Sequence, residues 1–91
     1  MTMIKIFFPI WMRVILAIGN EEGIYARRIG ALTDISPPTI NFATKKMKEI
    51  GMLRYEHKES KRIKNYYLTE LGRKIYDTLT LVEQEIRKIK E

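Results

Sequence analysis

The side chains best able to do chemistry in this sequence are cations, and they are crowded. Lys45, Lys46, Lys48, Arg54, Lys58, Lys61, Arg62 and Lys64 fall between residues 37 and 66 against only Glu49, Glu56 and Glu59, so this segment carries a surplus of five positive charges out of a net six. Residues 1–36, with Lys5, Arg13, Arg27 and Arg28 against Glu21, Glu22 and Asp34, contribute one, and residues 67–91 balance. Spread evenly, such an excess would only aid solubility. Gathered in one stretch it is the electrostatic footprint of a surface that meets a polyanion. Nucleic acid is the leading partner and an anionic membrane surface the second. Catalysis lacks its parts. The chain has no cysteine, hence no disulfide, thiolate nucleophile or cysteine zinc site. Its single histidine, His57, leaves no His-rich metal cluster, and there is no Gly-rich phosphate loop. His57 reads most simply as a strand residue. No enzymatic activity, metal or cofactor is expected.

The elements that must position these cations follow from periodicity and punctuation. Ninety-one residues, 45% apolar and 31% charged, supply one core and not two. The apolar run Ile4, Ile6, Phe7, Phe8, Ile10, Trp11, Met12, Val14, Ile15, Leu16, Ala17, Ile18 is interrupted by Lys5, Pro9 and Arg13, well short of the roughly 20 residues of a spanning helix. It also lacks a small-residue cleavage site. It therefore predicts a helix over 10–18, buried on most sides and covered by a second subunit, with no membrane contact and a cytoplasmic location. Gly19-Asn20 should stop it, Ile24-Tyr25 is a strand stub, and a short helix from Ala26 to about Thr33 presents Ile29 and Leu32 on one face and Arg27 and Arg28 on the other.

Ile35-Ser36-Pro37-Pro38-Thr39 is the sharpest helix start in the chain. Ser36 before proline is held extended, as an N-cap requires, and the prolines occupy positions whose amides have no intrahelical partner. The Ser36 hydroxyl is expected to cap the Thr39 amide. The helix should run from Pro37 to Ile50 and end at Gly51. Ile40, Ala43, Met47 and Ile50 share one side, and Pro38, Asn41, Phe42, Lys45 and Lys48 the other. Leu53, Tyr55 and His57 then alternate with Arg54, Glu56 and Lys58, which reads as a strand. Residues 58–61 form a turn. Residues 62–68 form the returning strand, with a bulge to reconcile Ile63 with Leu68. A last helix is capped by Thr69 and carries Leu71, Ile75, Leu79, Val82, Ile86 and Ile89 in a pattern close to a coiled-coil seam.

The short helix from Ala26 to about Thr33, the turn at Asp34–Ser36 and the helix from Pro37 to Ile50 (helix 3), followed at once by a basic hairpin, resemble the winged helix-turn-helix superfamily, most closely the MarR-like dimeric transcription regulators, over roughly residues 9–79. The resemblance is carried by Ile35-Ser36, by Ile40 and Met47, by Lys48-Glu49-Ile50-Gly51-Met52-Leu53, similar to the family's LxxxGLI, and by Leu68-Thr69-Glu70-Leu71-Gly72, similar to its LTxxG. It implies an α+β, mainly α fold in a single domain. A three-helix core with a two-stranded wing would occupy residues 9–68, and a C-terminal dimerisation helix residues 69–91. It also implies a homodimer that binds double-stranded DNA in a sequence-specific way to regulate transcription, with helix 37–50 in the major groove and wing 58–62 at the minor groove or backbone.

By position, the DNA-binding candidates are Arg27, Arg28, Ser36, Pro38, Thr39, Asn41, Phe42, Lys45, Lys48, Lys58, Lys61, Arg62 and Lys64. Asn41 and Lys45 have side chains that can read base edges. Phe42 could touch a thymine methyl or pack on a neighbouring element. The family often places an acid two residues before the arginine that enters the minor groove. Here Glu59 precedes Lys61 at that spacing and Arg62 follows, which leaves two candidates. The dimer-interface candidates are Phe7, Phe8, Trp11, Leu79, Val82, Ile86 and Ile89, because the distal part of a helix about 30 Å long would overhang so small a domain. Two readings compete. Winged domains also serve as protein–protein modules, although such an adaptor would not need cations on both helix 3 and the hairpin. A small-molecule effector could sit at Phe7, Phe8 and Trp11, but core packing explains those aromatics as well. Fourteen isoleucines with one glutamine and no cysteine fit a heat-adapted source.

Overall fold

In the computed structural model, which describes residues 8–90, Pro9 takes the N-cap position of the first helix, α1 (Ile10–Asn20). The Pro9 carbonyl accepts the Met12 and Arg13 amides at 3.1 and 3.2 Å. The helix runs past the expected stop at Ile18. Tyr76 packs against Gly19, and its hydroxyl donates to Asn20 Oδ1 at 2.5 Å, so the last turn is held by a neighbour. Val14, Ile15 and Ile18 are fully buried and form the centre of the core with Ile24, Ile29, Ile40 and Leu53.

The second helix, α2 (Ala26–Thr33), ends at Asp34 in left-handed geometry (φ 60°), which a short polar residue tolerates. Its buried stripe is narrower than expected. Ile29 and Thr33 face inward, the Thr33 hydroxyl donating to the Ile29 carbonyl at 2.7 Å. Leu32, expected beside Ile29, is exposed because the stripe runs along the i, i+4 pair and leaves it to one side.

Helix α3 (Pro37–Ile50) has the expected bounds. Pro37 and Pro38 fill its first two positions, and Gly51 closes it in the left-handed region at φ 94°. Two expectations fail. The Ser36 hydroxyl does not cap the Thr39 amide but pairs with the Thr39 hydroxyl at 2.8 Å, because that hydroxyl is within its reach. Ile50, placed with Ile40 and Met47 from periodicity, is 61% exposed, and Thr44 takes the inner position, donating to the Ile40 carbonyl at 2.9 Å. The core contacts of the helix end at Met47, and Ile50 lies beyond them at its C-terminus.

Strand β1 (Leu53–Glu56) pairs antiparallel with β2 (Asn65–Leu68), Leu53 opposite Leu68 and Tyr55 opposite Tyr66. Ile24 adds a single bridge to Tyr66 as a third, minimal strand. The register needs no bulge. The returning strand starts at Asn65, not Arg62, and Ile63 lies in the loop that spans 57–64, so its parity is free. Asn65, 3% exposed, secures that loop: its Nδ2 donates to the Gly23 carbonyl at 3.0 Å and its Oδ1 accepts the Lys58 amide at 3.2 Å. Asn65→Ala leaves both backbone groups without their partner and is expected to cost about 2 kcal/mol in urea unfolding. An unchanged midpoint would show that water replaces both bonds.

The last helix, α4 (Glu70–Lys90), starts on Thr69, whose hydroxyl oxygen accepts the Gly72 amide at 3.2 Å while donating to the Gly51 carbonyl. It packs along α1 and runs far beyond the sheet, giving a body of 45 × 26 × 20 Å. The architecture is mainly helical with a two-stranded antiparallel sheet, the winged helix-turn-helix with a long C-terminal helix that the sequence predicts. No helix among the described residues is long and apolar enough to cross a membrane.

Candidate nucleic-acid interface

The positive charges sort into groups once their partners are traced. Arg28 is committed within the chain: its guanidinium donates to both carboxylate oxygens of Glu21 at 3.3–3.4 Å. Its neighbour Arg27 forms no ion pair among the described residues and lines a cleft of about 520 Å³ with Tyr25, Asn41, Arg62, Lys64 and Tyr66. The N-terminus of α2, the flank of α3 and the wing loop therefore meet at one place, although Arg27 and Lys64 are 37 positions apart in the chain.

Tyr55 ties the wing to α3. Opposite the buried Tyr66 in the sheet, it lies on the inner face of the wing. Its ring carries Lys48 of α3 at 5.6 Å and Lys64 of the loop at 4.7 Å, with His57 and Tyr66 packed edge to face at 5.5 and 6.3 Å. Each cation–π contact holds a flexible lysine near a fixed ring without neutralising it. His57 Nδ1 lies 3.0 Å from the Ile63 carbonyl, which can only accept, so Nδ1 carries the proton and the ring braces the loop.

The outer face of the wing is different. Arg54, opposite Tyr67, pairs with Glu56 at 2.5 Å and stacks on the Tyr67 ring at 4.6 Å, and Lys58 lies 5.1 Å from that ring. Hydrogen bonding and charge interaction with Tyr67 raise the Lys58 ammonium above the ordinary lysine pKa. The basic segment thus does not form a single rim, since Arg54 and Lys58 lie across the sheet from Tyr55, Lys48 and Lys64. The alternation of the strands imposes that division.

On α3, Pro38, Asn41, Phe42, Lys45 and Lys48 are exposed, while Thr39 is half-buried and bonded to Ser36. Lys45 makes no ion pair among the described residues, whereas Lys46 leans on Glu49 at 3.8 Å and on the Phe42 ring at 5.8 Å. Phe42, 65% exposed, lines an apolar groove of about 540 Å³ with Ile10, Trp11, Ile50 and Met52, on the side of α3 away from Arg27. Lys61 and Arg62 are exposed in the wing loop, the Arg62 amide donating to Ser60 Oγ at 3.1 Å.

The expected dimer surface divides. Phe7 lies outside the described residues. Phe8 and Leu79, each 6% exposed, are buried inside the chain's own core and do not line a free surface. Trp11 and Ile86 are half-buried against that core, while Val82 at 41% and Ile89 at 84% are exposed, joined by Leu81 at 64%. Leu71, read as part of the same stripe, is exposed at the start of α4.

Sequence reasoning missed Tyr55 and Tyr25 as members of the site and Glu21 as the partner of Arg28. The parity of Tyr55 with Leu53 was the available signal for the first. Nothing in the linear pattern marked the other two. Among the described residues there is no group of three acidic or histidine side chains placed to hold a metal ion.

No family model matches the chain, and no curated protein matches its sequence. Solved structures do match. The transcriptional regulator SlyA superposes with a TM-score of 0.83 over 98% of this chain and 68% of its own, at 21% identity. Streptococcus pneumoniae FabT in complex with DNA gives 0.79 over 86% of this chain and 55% of its own, at 16% identity. Lactococcus lactis ZitR, described as a zinc-responsive MarR family member, gives 0.80 over 88% and 56%, at 17% identity. The chain is thus shorter than all three, spanning little more than half of two of them. The fold is that of the MarR-type winged-helix regulators, as the residues around helix 3 and the wing predict.

Proposed function

We propose that this protein is a double-stranded DNA-binding transcription regulator that works as a homodimer. The observation that carries this reading is the convergence of Arg27, Asn41, Arg62 and Lys64 on one cleft beside the exposed Lys45 and Lys48 of α3. In that reading the outer side of α3, with Pro38, Phe42 and Lys45, enters the major groove, and the wing loop carries Lys61 to the minor groove or backbone. Pro37 and Pro38 remove two amides that a helix N-terminus would otherwise offer to phosphate, so affinity depends on side-chain cations. Lys58, turned toward Tyr67, contributes only to the long-range field. The fold's likeness to FabT, solved with DNA bound, supports the same reading.

The exposed Leu81, Val82 and Ile89 on the distal part of α4 support the dimer, because a row of this kind left in water is costly. A two-fold axis along that helix would set two α3 helices about 34–36 Å apart, one turn of duplex. The test is binding of a random-sequence duplex, followed by fluorescence anisotropy at two salt concentrations, with mass by sedimentation. We expect a dimer whose affinity falls steeply with salt, about 0.9 in logarithmic slope per phosphate contacted. Duplex binding that is absent or indifferent to salt contradicts the reading. A second reading, a winged-helix protein–protein module, draws on the apolar groove at Ile10, Trp11, Phe42, Ile50 and Met52. It is favoured if duplex binding fails while the dimer persists.

A further inference from the structure

We infer that the cleft between α2, α3 and the wing is a seat for a single phosphate group, held jointly by Arg27, Arg62 and Lys64 with the Asn41 amide beside them. The inference deepens the nucleic-acid reading and rests on it for the source of the phosphate, a backbone phosphodiester. Three cations from two distant parts of the chain line one concavity, and none of its lining residues is acidic. Neither Arg27 nor Arg62 has an ion pair among the described residues, whereas Arg28, one position away, is fully engaged by Glu21. Like charges held at one cleft repel, and an anion of matching shape removes that cost. Guanidinium forks fit the tetrahedral oxygens of phosphate, and a lysine adds a point charge.

The position of the cleft also identifies the phosphate's source. Asn41 belongs both to the cleft and to the exposed side of α3, so a polyanion lying along Lys45 and Lys48 passes directly over it. Two assignments from the sequence then change. Arg62 is drawn to the backbone, which leaves Lys61 as the wing cation for the minor groove. Asn41 anchors phosphate and does not read adenine, so Asn41→Ala should weaken every duplex alike.

The test is a double-mutant cycle on Arg27→Gln and Arg62→Gln, with duplex affinity measured across salt and folding checked by thermal melting. Sharing one phosphate predicts a loss of about tenfold for each single variant and little more for the double. The salt slope should fall by about 0.9 in all three. Losses that multiply to about a hundredfold, with a slope change near 1.8 in the double, would mean separate phosphates and overturn the proposal. A second arm follows the Arg27 and Arg62 Nε–H resonances during titration with inorganic phosphate, with chloride at matched ionic strength as control. Both should move with phosphate and not with chloride, and equal responses to the two anions overturn the seat. A phosphate response without duplex binding keeps the seat and removes the DNA reading. Duplex binding without coupling does the reverse.

Discussion

Replacing Gly72 with alanine is expected to destabilise the protein by about 3 kcal/mol, toward the upper end of overpacking costs. For a domain of this size that is roughly 15 °C in melting temperature. In an exposed helix the same change would be stabilising by about 1 kcal/mol, so the sign itself is diagnostic. Here the first turn of α4 is pressed onto the chain entering β1. The Thr69 amide donates to the Met52 carbonyl at 3.2 Å, the Thr69 hydroxyl donates to the Gly51 carbonyl, and Gly72 is buried beneath them. A Cβ at Gly72 would overlap the Met52 carbonyl oxygen and come within 3.3 Å of Leu68 Cβ. The obstacle is backbone and cannot be relieved by a rotamer change, so α4 would have to lift from the sheet. A melting temperature at or above that of the wild type would show that the strand yields instead.

The second large effect concerns binding. Lys45→Ala combined with Lys48→Ala is expected to weaken every duplex by roughly a hundredfold at low salt, with the logarithmic salt slope reduced by about 1.8. Lys45 is exposed and forms no ion pair among the described residues, so its removal leaves folding untouched. Lys48 contributes its charge and, through the Tyr55 ring that it shares with Lys64, helps hold the wing against α3. Lys46→Ala provides the contrast. That side chain is turned to Glu49 and Phe42, and its loss should cost only a few fold through the general field. A loss for Lys46→Ala half as large, in logarithm, as that for the Lys45–Lys48 pair would mean that only total charge matters.

The helix bounds were legible in the sequence wherever a residue with a fixed backbone preference marks them. Pro37-Pro38 and Gly51 delimit α3 to the residue, and Thr69 caps α4 as expected. Periodicity overestimated what the core could cover. Leu32 and Ile50 belong to apolar stripes, yet the small core leaves both exposed, and Thr33 and Thr44 fill the inner positions by donating to their own helix carbonyls. The hairpin register failed for a related reason. Ile63 was counted as a strand residue, but Asn65, through its bonds to Gly23 and Lys58, ends the ladder before it.

At the candidate site the sequence concentrated attention on the middle third of the chain but could not divide its charge. Which cations are free depends on contacts between distant segments: Glu21 on Arg28, Tyr67 on Arg54 and Lys58, Tyr55 on Lys48 and Lys64. Aromatic partners of this kind leave no charge pattern in the linear sequence, and strand alternation separates Arg54 from Lys64 only once the pairing is known.

In the proposed reading the start of α2, the exposed side of α3 and the inner side of the wing form one DNA-binding face. The most direct measurement is the change in backbone amide resonances of the isotope-labelled protein when a duplex is added. The largest shifts are expected to cluster at Ala26–Arg28, Thr39–Lys48 and Lys61–Lys64, with Arg54, Lys58 and the distal part of α4 little affected. Shifts centred on Ile10, Trp11, Ile50 and Met52, or spread evenly over both faces of the wing, would contradict it.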